Sequence, residues 1–329
     1  MPKCKLNIVL DEPDRVYPGG GTISGTVDVS VDSDATCKGL ELRTSWTTHG
    51  SGNIAGDSGE SIVVFEGDWV AGHHASYRFD LPIVEWPPTY HGHHLNIDHF
   101  VEARAKLPWA IDPKASEPFQ MRSTHCEQTS NRKPRKKKNG GCLGLIVIFV
   151  IYMLVMRSGP QLLNIPKIGI WFMGALGLAV FLFWFIRSFL PKWALGSIEA
   201  DLDREQFVAG EAVEGKIAIS PRKQIAINGI DMTVTGAERC VSGSGSNRRT
   251  HRYTLFEQTE RVAESTTLYP RGVPQEFHFS INLPPDAPPT IDLRNNDIVW
   301  NVDLRVDIPS WPDWRISLPI QVTQKLNHE

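Results

Sequence analysis

The residues best suited to chemistry are histidines, six of which fall within 27 positions of the chain. His91, His93 and His94 lie in the pattern H-G-H-H, and side chains two positions apart on a strand point to the same face. Neutral imidazoles are common ligands of zinc and copper, so these three residues are a candidate metal site. No cysteines with metal-ligand spacing accompany them, and a solvated loop with one core histidine is the competing interpretation.

An internal repeat provides a control on that candidate site. The segment Pro87–Pro108 returns without a gap 201 positions later as Pro288–Pro309. The three candidate ligands have different counterparts in the second copy, namely Asp292, Arg294 and Asn295. A fold shared by both copies therefore does not require the histidines.

The chain shows none of the common sequence signatures of catalysis or cofactor binding. It has no G-x-S-x-G elbow, no phosphate-binding loop, no dinucleotide fingerprint and no H-E-x-x-H pattern. Its net charge of −3 gives no sign of a nucleic-acid partner, and five irregularly spaced cysteines favour a reducing compartment. We expect a protein without enzymatic activity, cofactor or small-molecule substrate.

The repeat also bears on a short motif in the first copy. Pro87-Pro88-Thr89-Tyr90 matches the PPxY ligand of WW domains. The second copy keeps both prolines and the threonine but has Ile291 in place of the tyrosine. The prolines are therefore expected to belong to the fold.

Two polar segments at matching places are candidate contact points for a protein partner. Residues 49–61 in the first copy correspond to residues 241–252 in the second, and both read as long hairpin loops. The second is basic, and its candidate partner-binding residues are Arg248, Arg249, His251 and Arg252. Such a loop is suited to an acidic peptide or to lipid phosphates.

The elements that must position these residues are β-strands. Residues 22–31 alternate apolar and polar side chains, and residues 216–220 and 231–234 show the same period of two. Gly and Pro clusters separate the runs, so each copy is predicted to be an antiparallel β-sandwich, over residues 1–125 and 196–325. Parity places two sets of residues inside these sandwiches: Ile97, His99, Val101, Ala103 and Ala105, and Ile298, Trp300, Val302, Leu304 and Val306.

Between the copies the composition predicts a helical hairpin in a membrane. The runs 140–156 and 168–186 carry no charged side chain, and helices of that length span about 25 and 28 Å. They are joined by an extracytoplasmic link at 157–167 and flanked by linkers at 126–139 and 187–195. More Lys and Arg residues flank the pair than lie in the link, so both termini are expected in the cytoplasm, with the protein integral to the lipid. The first linker supplies a candidate contact for anionic lipid: Arg132, Lys133, Arg135, Lys136, Lys137 and Lys138.

The order of these motifs resembles the arrestin-like domain superfamily. The resemblance rests on an aromatic residue before a glycine turn and a G-x-V or G-x-I strand, then a G-x-E/D strand, and finally PPT before an alternating strand. It covers nearly all of the chain outside residues 127–195 and implies two tandem β-sandwich lobes, each of an arrestin or immunoglobulin-like kind. It also implies binding or scaffolding, as superfamily members recognise segments of membrane proteins and recruit partners. The predicted hairpin departs from arrestins, whose lobes are joined by a short linker.

The sequence thus favours a membrane-anchored adaptor or scaffold that binds an unidentified protein through loops or strand edges. Two alternatives remain at this stage. One is a metal-binding sensor or enzyme built on the histidine cluster, and the other is a structural subunit of a larger membrane complex.

Overall fold

The structure is a computed structural model that describes residues 3–123, 195–270 and 274–324, with four isolated positions between 177 and 183. The two long regions are both built from strands joined by turns, as alternating apolar and polar side chains require. We call residues 3–123 the first lobe and residues 195–324 the second lobe.

The first lobe consists of two sheets packed around one core. One sheet has the order β1-β3-β7, and the other has the order β2-β10-β9-β4-β5, with β6 paired to β4 and β8 to β9. All pairs are antiparallel except β2 with β10, which run parallel. The strands are β1 (Cys4–Leu10), β2 (Val16–Pro18), β3 (Thr22–Val31), β4 (Ala35–Gly50), β5 (Gly56–Ser58), β6 (Ile62–Trp69), β7 (His74–Pro82), β8 (Tyr90–His91), β9 (Leu95–Ala105) and β10 (Lys114–Arg122).

The second lobe repeats this plan. Its sheets have the orders β11-β13-β18 and β12-β21-β20-β15-β16, with β19 paired to β20, and β14 pairs separately with β17. The parallel pair recurs as β12 with β21. The elements are β11 (Ser197–Leu202), β12 (Gln206–Val208), β13 (Ala212–Ser220), β14 (Ile225–Ile227), β15 (Gly229–Ser242), a 3-10 turn (Gly245–Asn247), β16 (Arg249–Ala263), β17 (Thr266–Leu268), β18 (Gln275–Asn282), β19 (Ile291–Leu293), β20 (Asn296–Asp307) and β21 (Trp314–Thr323).

The residues predicted to face the cores are buried in both lobes, which confirms the parity argument. All ten have an exposed fraction of 1% or less. His99 and Trp300 occupy the same place, and each ring nitrogen lies near the carbonyl oxygen of the first proline of PPT, at 2.9 Å from Pro87 and 3.1 Å from Pro288. Desolvation by burial lowers the pKa of His99 to about 4, so this histidine is a neutral core residue.

The PPT segment holds the last strand of each lobe. In the first lobe Met121 donates its backbone N–H to the hydroxyl of Thr89 at 2.8 Å, and Thr89 donates its own N–H to the Met121 carbonyl. Thr290 and Val322 make the same two bonds in the second lobe. The two prolines and the threonine are therefore part of the fold, as the repeat predicts.

The prediction of a membrane hairpin is not supported and is corrected. Over the described parts of the chain, no helix is long and apolar enough to cross a membrane. The predicted spans at 140–156 and 168–186 fall outside the described residues, apart from the isolated positions, as do most of their linkers. The expectations of an integral protein with two spans, cytoplasmic termini and a helical link are accordingly wrong for the structure described.

Candidate functional site

The most exposed long element of the second lobe is β16, the last strand of its larger sheet. It has 15 residues and pairs with β15 along one side, and no other described strand pairs with its outer side. Most of its residues are exposed, although Leu255 and Phe256 pack partly against the core. A free strand edge presents unpaired backbone N–H and C=O groups, which are the groups that bind another extended chain.

A tight turn leads into this strand and positions the predicted arginines. Gly243 and Gly245 have φ angles of 73° and 57°, a region that favours glycine, and the 3-10 turn between β15 and β16 follows. Arg248 ends that turn, and Arg249 and Arg252 lie at the start of β16. Half of the predicted long loop over 241–252 is thus strand, since β15 ends at Ser242 and β16 begins at Arg249. The polar composition of this segment predicted a loop, whereas its last residues are the start of the edge strand β16.

The three arginines are exposed, and none has an ion-pair partner within the described residues. His251 behaves differently, because its Nε2 lies 3.1 Å from the Ser242 hydroxyl on β15. Of the four predicted partner-binding residues, the arginines therefore form a free basic cluster and His251 turns toward the neighbouring strand.

The charge along β16 changes sign between its halves. Arg249 and Arg252 lie in the first half, and Glu257 and Glu260 lie in the second, all four exposed. Arg261 follows them but is held by Asp231 on β15 at 3.1 Å. The strand thus presents basic side chains at one end of its edge and acidic side chains at the other.

The first lobe contacts the second near the first half of β16. There Glu238 of β15, which pairs with Tyr253 of β16, is fully buried. Its carboxylate accepts hydrogen bonds from the backbone N–H groups of His93, His94 and Leu95 at 2.9, 2.6 and 3.3 Å. The hydroxyl of Tyr90 donates a further bond at 2.7 Å. A carboxylate surrounded by successive backbone donors is a satisfied anion, so it stabilises the contact between the lobes. Burial and the bond to Glu238 raise the pKa of Tyr90.

A second set of polar bonds crosses between the lobes beside Glu238. The side-chain N–H of Asn296 donates to the Asn53 carbonyl at 2.7 Å and to the Thr48 hydroxyl at 3.3 Å. Asn53 and Gly243 exchange two bonds, at 3.0 and 3.1 Å. Thr48 and Glu238 are 190 positions apart and occupy equivalent places in the repeat, so each lobe contributes the same region to the contact.

Apolar packing continues across this contact. Leu95 and Ile97 of the first lobe are fully buried in the core cluster of the second lobe, and Trp46 packs partly against it. The ring of His93 stacks on Tyr253 of β16 with 4.3 Å between the ring centroids. The first lobe therefore supports β16 directly.

The three candidate metal ligands do not converge on one point. His91 bonds to Asp98 at 2.8 Å, His93 stacks on the β16 tyrosine, and the Nδ1 of His94 lies 2.9 Å from the Ser51 hydroxyl. No group of three or more metal-binding side chains occurs among the residues described. His93 and His94 contact the second lobe, whereas the side chain of His91 bonds within the first lobe.

Two further features are the predicted lipid-binding residues and a groove on the first lobe. The polybasic residues 132–138 lie outside the described part of the chain. A shallow groove of about 470 Å³ on the first lobe is lined by Arg43 and Glu102, among others, but these two side chains pair with each other at 2.7 Å.

Sequence reasoning missed the residues of the lobe contact. Glu238 is a charged residue where alternation along β15 predicts an inward side chain, and its counterpart in the first copy is Thr48. A charged residue at an inward position of one copy alone was the feature of the sequence that could have indicated this contact. Tyr90, singled out as part of a PPxY motif, instead uses its hydroxyl to hold Glu238.

Comparison with known proteins gives a family match and similar solved structures. Residues 196–327 match the family described as arrestin (or S-antigen), C-terminal domain. The sporulation control protein Spo0M of Bacillus subtilis is 24% identical over 38% of this chain, with a TM-score of 0.31. The match covers 48% of Spo0M, so the chain spans about half of that protein. No curated protein matches the sequence.

Proposed function

We propose that this chain, whose residues 196–327 match the arrestin C-terminal domain family, is a non-enzymatic adaptor that binds an extended, acidic segment of a partner protein along β16. The adaptor role is the family-level expectation. The strand edge, the acidic segment and the direction of binding are the proposal.

The observation that carries it is the free outer side of β16. An extended peptide that joins a sheet edge gains main-chain hydrogen bonds along its length, and pockets or charges select its side chains. β16 is long enough for a peptide of about ten residues, while the corresponding edge of the first lobe is broken into β5 and β6. The second lobe therefore offers the better binding edge.

Charge supports an acidic partner segment. Arg248, Arg249 and Arg252 are exposed within five positions and have no ion-pair partner among the described residues. A guanidinium group pairs well with carboxylates because its N–H groups form a planar fork. An extended segment with acidic residues opposite the start of β16 would satisfy these cations.

The lobe contact supports the site by fixing its geometry. Asn53 of the first lobe bonds to Gly243 at the turn that precedes the arginines. Glu238 and the His93–Tyr253 stack hold the strand that follows. A binding edge that is already ordered loses less conformational entropy on binding than a free loop.

A peptide titration tests the proposal. The probe is a fluorescent peptide of about ten residues that alternates valine and glutamate, and the comparison peptide alternates valine and lysine. The Arg248→Glu/Arg249→Glu/Arg252→Glu variant is expected to bind the acidic peptide at least about tenfold more weakly. Lys5→Glu, an exposed change on the edge strand β1 of the first lobe, is the matched control and should bind as the wild type does.

N-methylation of the peptide separates strand addition from simple charge attraction. Methyl groups on one alternate set of peptide nitrogens block bonds to β16, whereas methyl groups on the other set point away. We expect only the first set to abolish binding. Equal binding by both methylated peptides would contradict strand addition. Equal binding of the acidic and lysine peptides would contradict the charge selection, and binding to anionic vesicles but to neither peptide would contradict the protein partner.

A further inference from the structure

We infer that two copies of this chain associate through antiparallel pairing of their β16 strands. The inference uses the same free edge as the proposed function, but it stands on the charge order along β16 and not on the acidic partner. The occupant that we propose is a second copy of this chain, because its β16 carries the opposite order of charges when it runs antiparallel.

The register follows from the pairing of β16 with β15. Residues 249–254 pair in order with residues 242–237, and residues 256–261 pair with residues 236–231. Leu255 is an extra residue at the irregularity between these two runs. The bulge shifts the alternation by one, so Arg252 and Glu257 lie on the same face of the sheet although their numbers differ in parity.

A two-fold axis at Thr254 brings opposite charges together. It places Arg252 opposite Glu257 of the second copy, and Arg249 opposite Glu260, with both pairs repeated by symmetry. Directly opposed side chains on an antiparallel pair lie on one face and about 5 Å apart at Cβ, which suits an ion pair. Four ion pairs therefore form across one interface.

The remaining opposed residues are also compatible. The same axis places Tyr253 opposite Phe256, and Thr250 opposite Thr259, which are cross-strand pairs that stabilise sheets. No like charges meet between Arg249 and Glu260. One position beyond, Arg248 faces Arg261 of the second copy, and the charge of Arg261 is offset by Asp231 on β15.

Parallel association lacks this complementarity, because it would place the basic halves together and the acidic halves together. Charges of one sign on an edge prevent pairing between copies. The separation of two signs along β16 instead favours one orientation. The first lobe has no equivalent, since its edge strand β5 has three residues and β6 is a separate strand.

Charge-reversal variants of the full chain test the inference. The basic-half variant is Arg249→Glu/Arg252→Glu, and the acidic-half variant is Glu257→Arg/Glu260→Arg. Their masses are measured by sedimentation over a range of concentrations. The wild type is expected at twice the 36.8 kDa of the chain. Each variant alone should dissociate at least about thirtyfold more readily, because four attractive pairs become repulsive.

The mixture of the two variants gives the decisive result. An equimolar mixture restores opposite charges across the interface and should return to the dimer mass, whereas Lys5→Glu should remain dimeric. All four side chains are exposed, so each variant should keep the fold, which is checked by a far-ultraviolet circular dichroism spectrum equal to that of the wild type. A monomeric wild type at every concentration, or a mixture that stays monomeric, would overturn the inference.

The same variants keep this result separate from the proposed function. The acidic-half variant retains all three arginines, so it should bind the acidic peptide as a monomer, and more tightly than the dimeric wild type. Peptide binding by a monomeric wild type would overturn the dimer alone. A dimeric wild type whose acidic-half variant binds no peptide would overturn the proposed function alone.

Discussion

The contact between the lobes depends on Glu238, and Glu238→Gln is the most informative single change there. The carboxylate is fully buried and accepts two hydrogen bonds at each oxygen. Oε1 accepts from Tyr90 and His93, and Oε2 accepts from His94 and Leu95. Glutamine has nearly the same shape but replaces one oxygen with an NH2 group. Two donors then face a donor, whichever way the amide turns.

The cost follows from the bonds that are lost. Hydrogen bonds to a charged group contribute about 1.5 kcal/mol or more each, so two of them give about 3 kcal/mol. A loss of this size lowers the unfolding midpoint of a chain of 329 residues by roughly 4 °C. Tyr90 and the backbone donors of the first lobe would also lose their restraint.

Hydrogen exchange followed by mass spectrometry measures the local effect, and calorimetry measures the midpoint. Faster exchange is expected in the peptide that contains the amides of His93, His94 and Leu95. Glu214→Gln, an exposed change on β13 of the same lobe, is the control and should alter neither quantity. Unchanged exchange and an unchanged midpoint in Glu238→Gln would refute the role given to the buried carboxylate.

Three further changes test other parts of the fold. Burial lowers the pKa of His99 from its ordinary 6.5 to about 4. Between these pH values the unfolded chain binds a proton that the folded chain does not. The free energy of unfolding should therefore fall by about 3 kcal/mol as the pH drops from 6.5 to 4. Urea unfolding of His99→Phe should lack that dependence, and an equally steep curve would argue against a neutral buried imidazole. Gly236→Ala would place a Cβ 2.6 Å from the Trp300 ring and should cost about 1–3 kcal/mol in urea, whereas a neutral effect would mean that the ring can move. Asn53→Ala removes the bonds to the turn before β16 and should cost about 1 kcal/mol, with faster exchange at Gly243; no change at that turn would contradict its support by the first lobe.

The strands could be predicted because the alternation of apolar and polar residues is a local pattern, and it occurs in both copies of the repeat. Alternation identified the inward residues of β9 and β20, and the comparison of His99 with Trp300 assigned that histidine to the core. The repeat also argued against the metal site and the PPxY motif, because the second copy lacks their key residues. In the structure His94 contacts Ser51 and Tyr90 bonds to Glu238.

The lobe contact could not be predicted, because it joins residues that lie far apart in sequence through the relative placement of two domains. Glu238 and His94 are 144 positions apart. The bulge at Leu255 was equally hidden, since a single extra residue in a polar strand leaves no local signal. The membrane hairpin is corrected because no helix among the described residues is long and apolar enough to cross a membrane.

The central claim is that the free edge of β16 binds an extended acidic segment. Hydrogen exchange of the full-length acidic-half variant, with and without the alternating valine–glutamate peptide, tests it most directly. The account predicts that the peptide slows exchange in β16 over residues 249–260 and leaves β5 and β6 of the first lobe unchanged. Saturating peptide that leaves β16 unprotected, or that protects the first lobe instead, would contradict it.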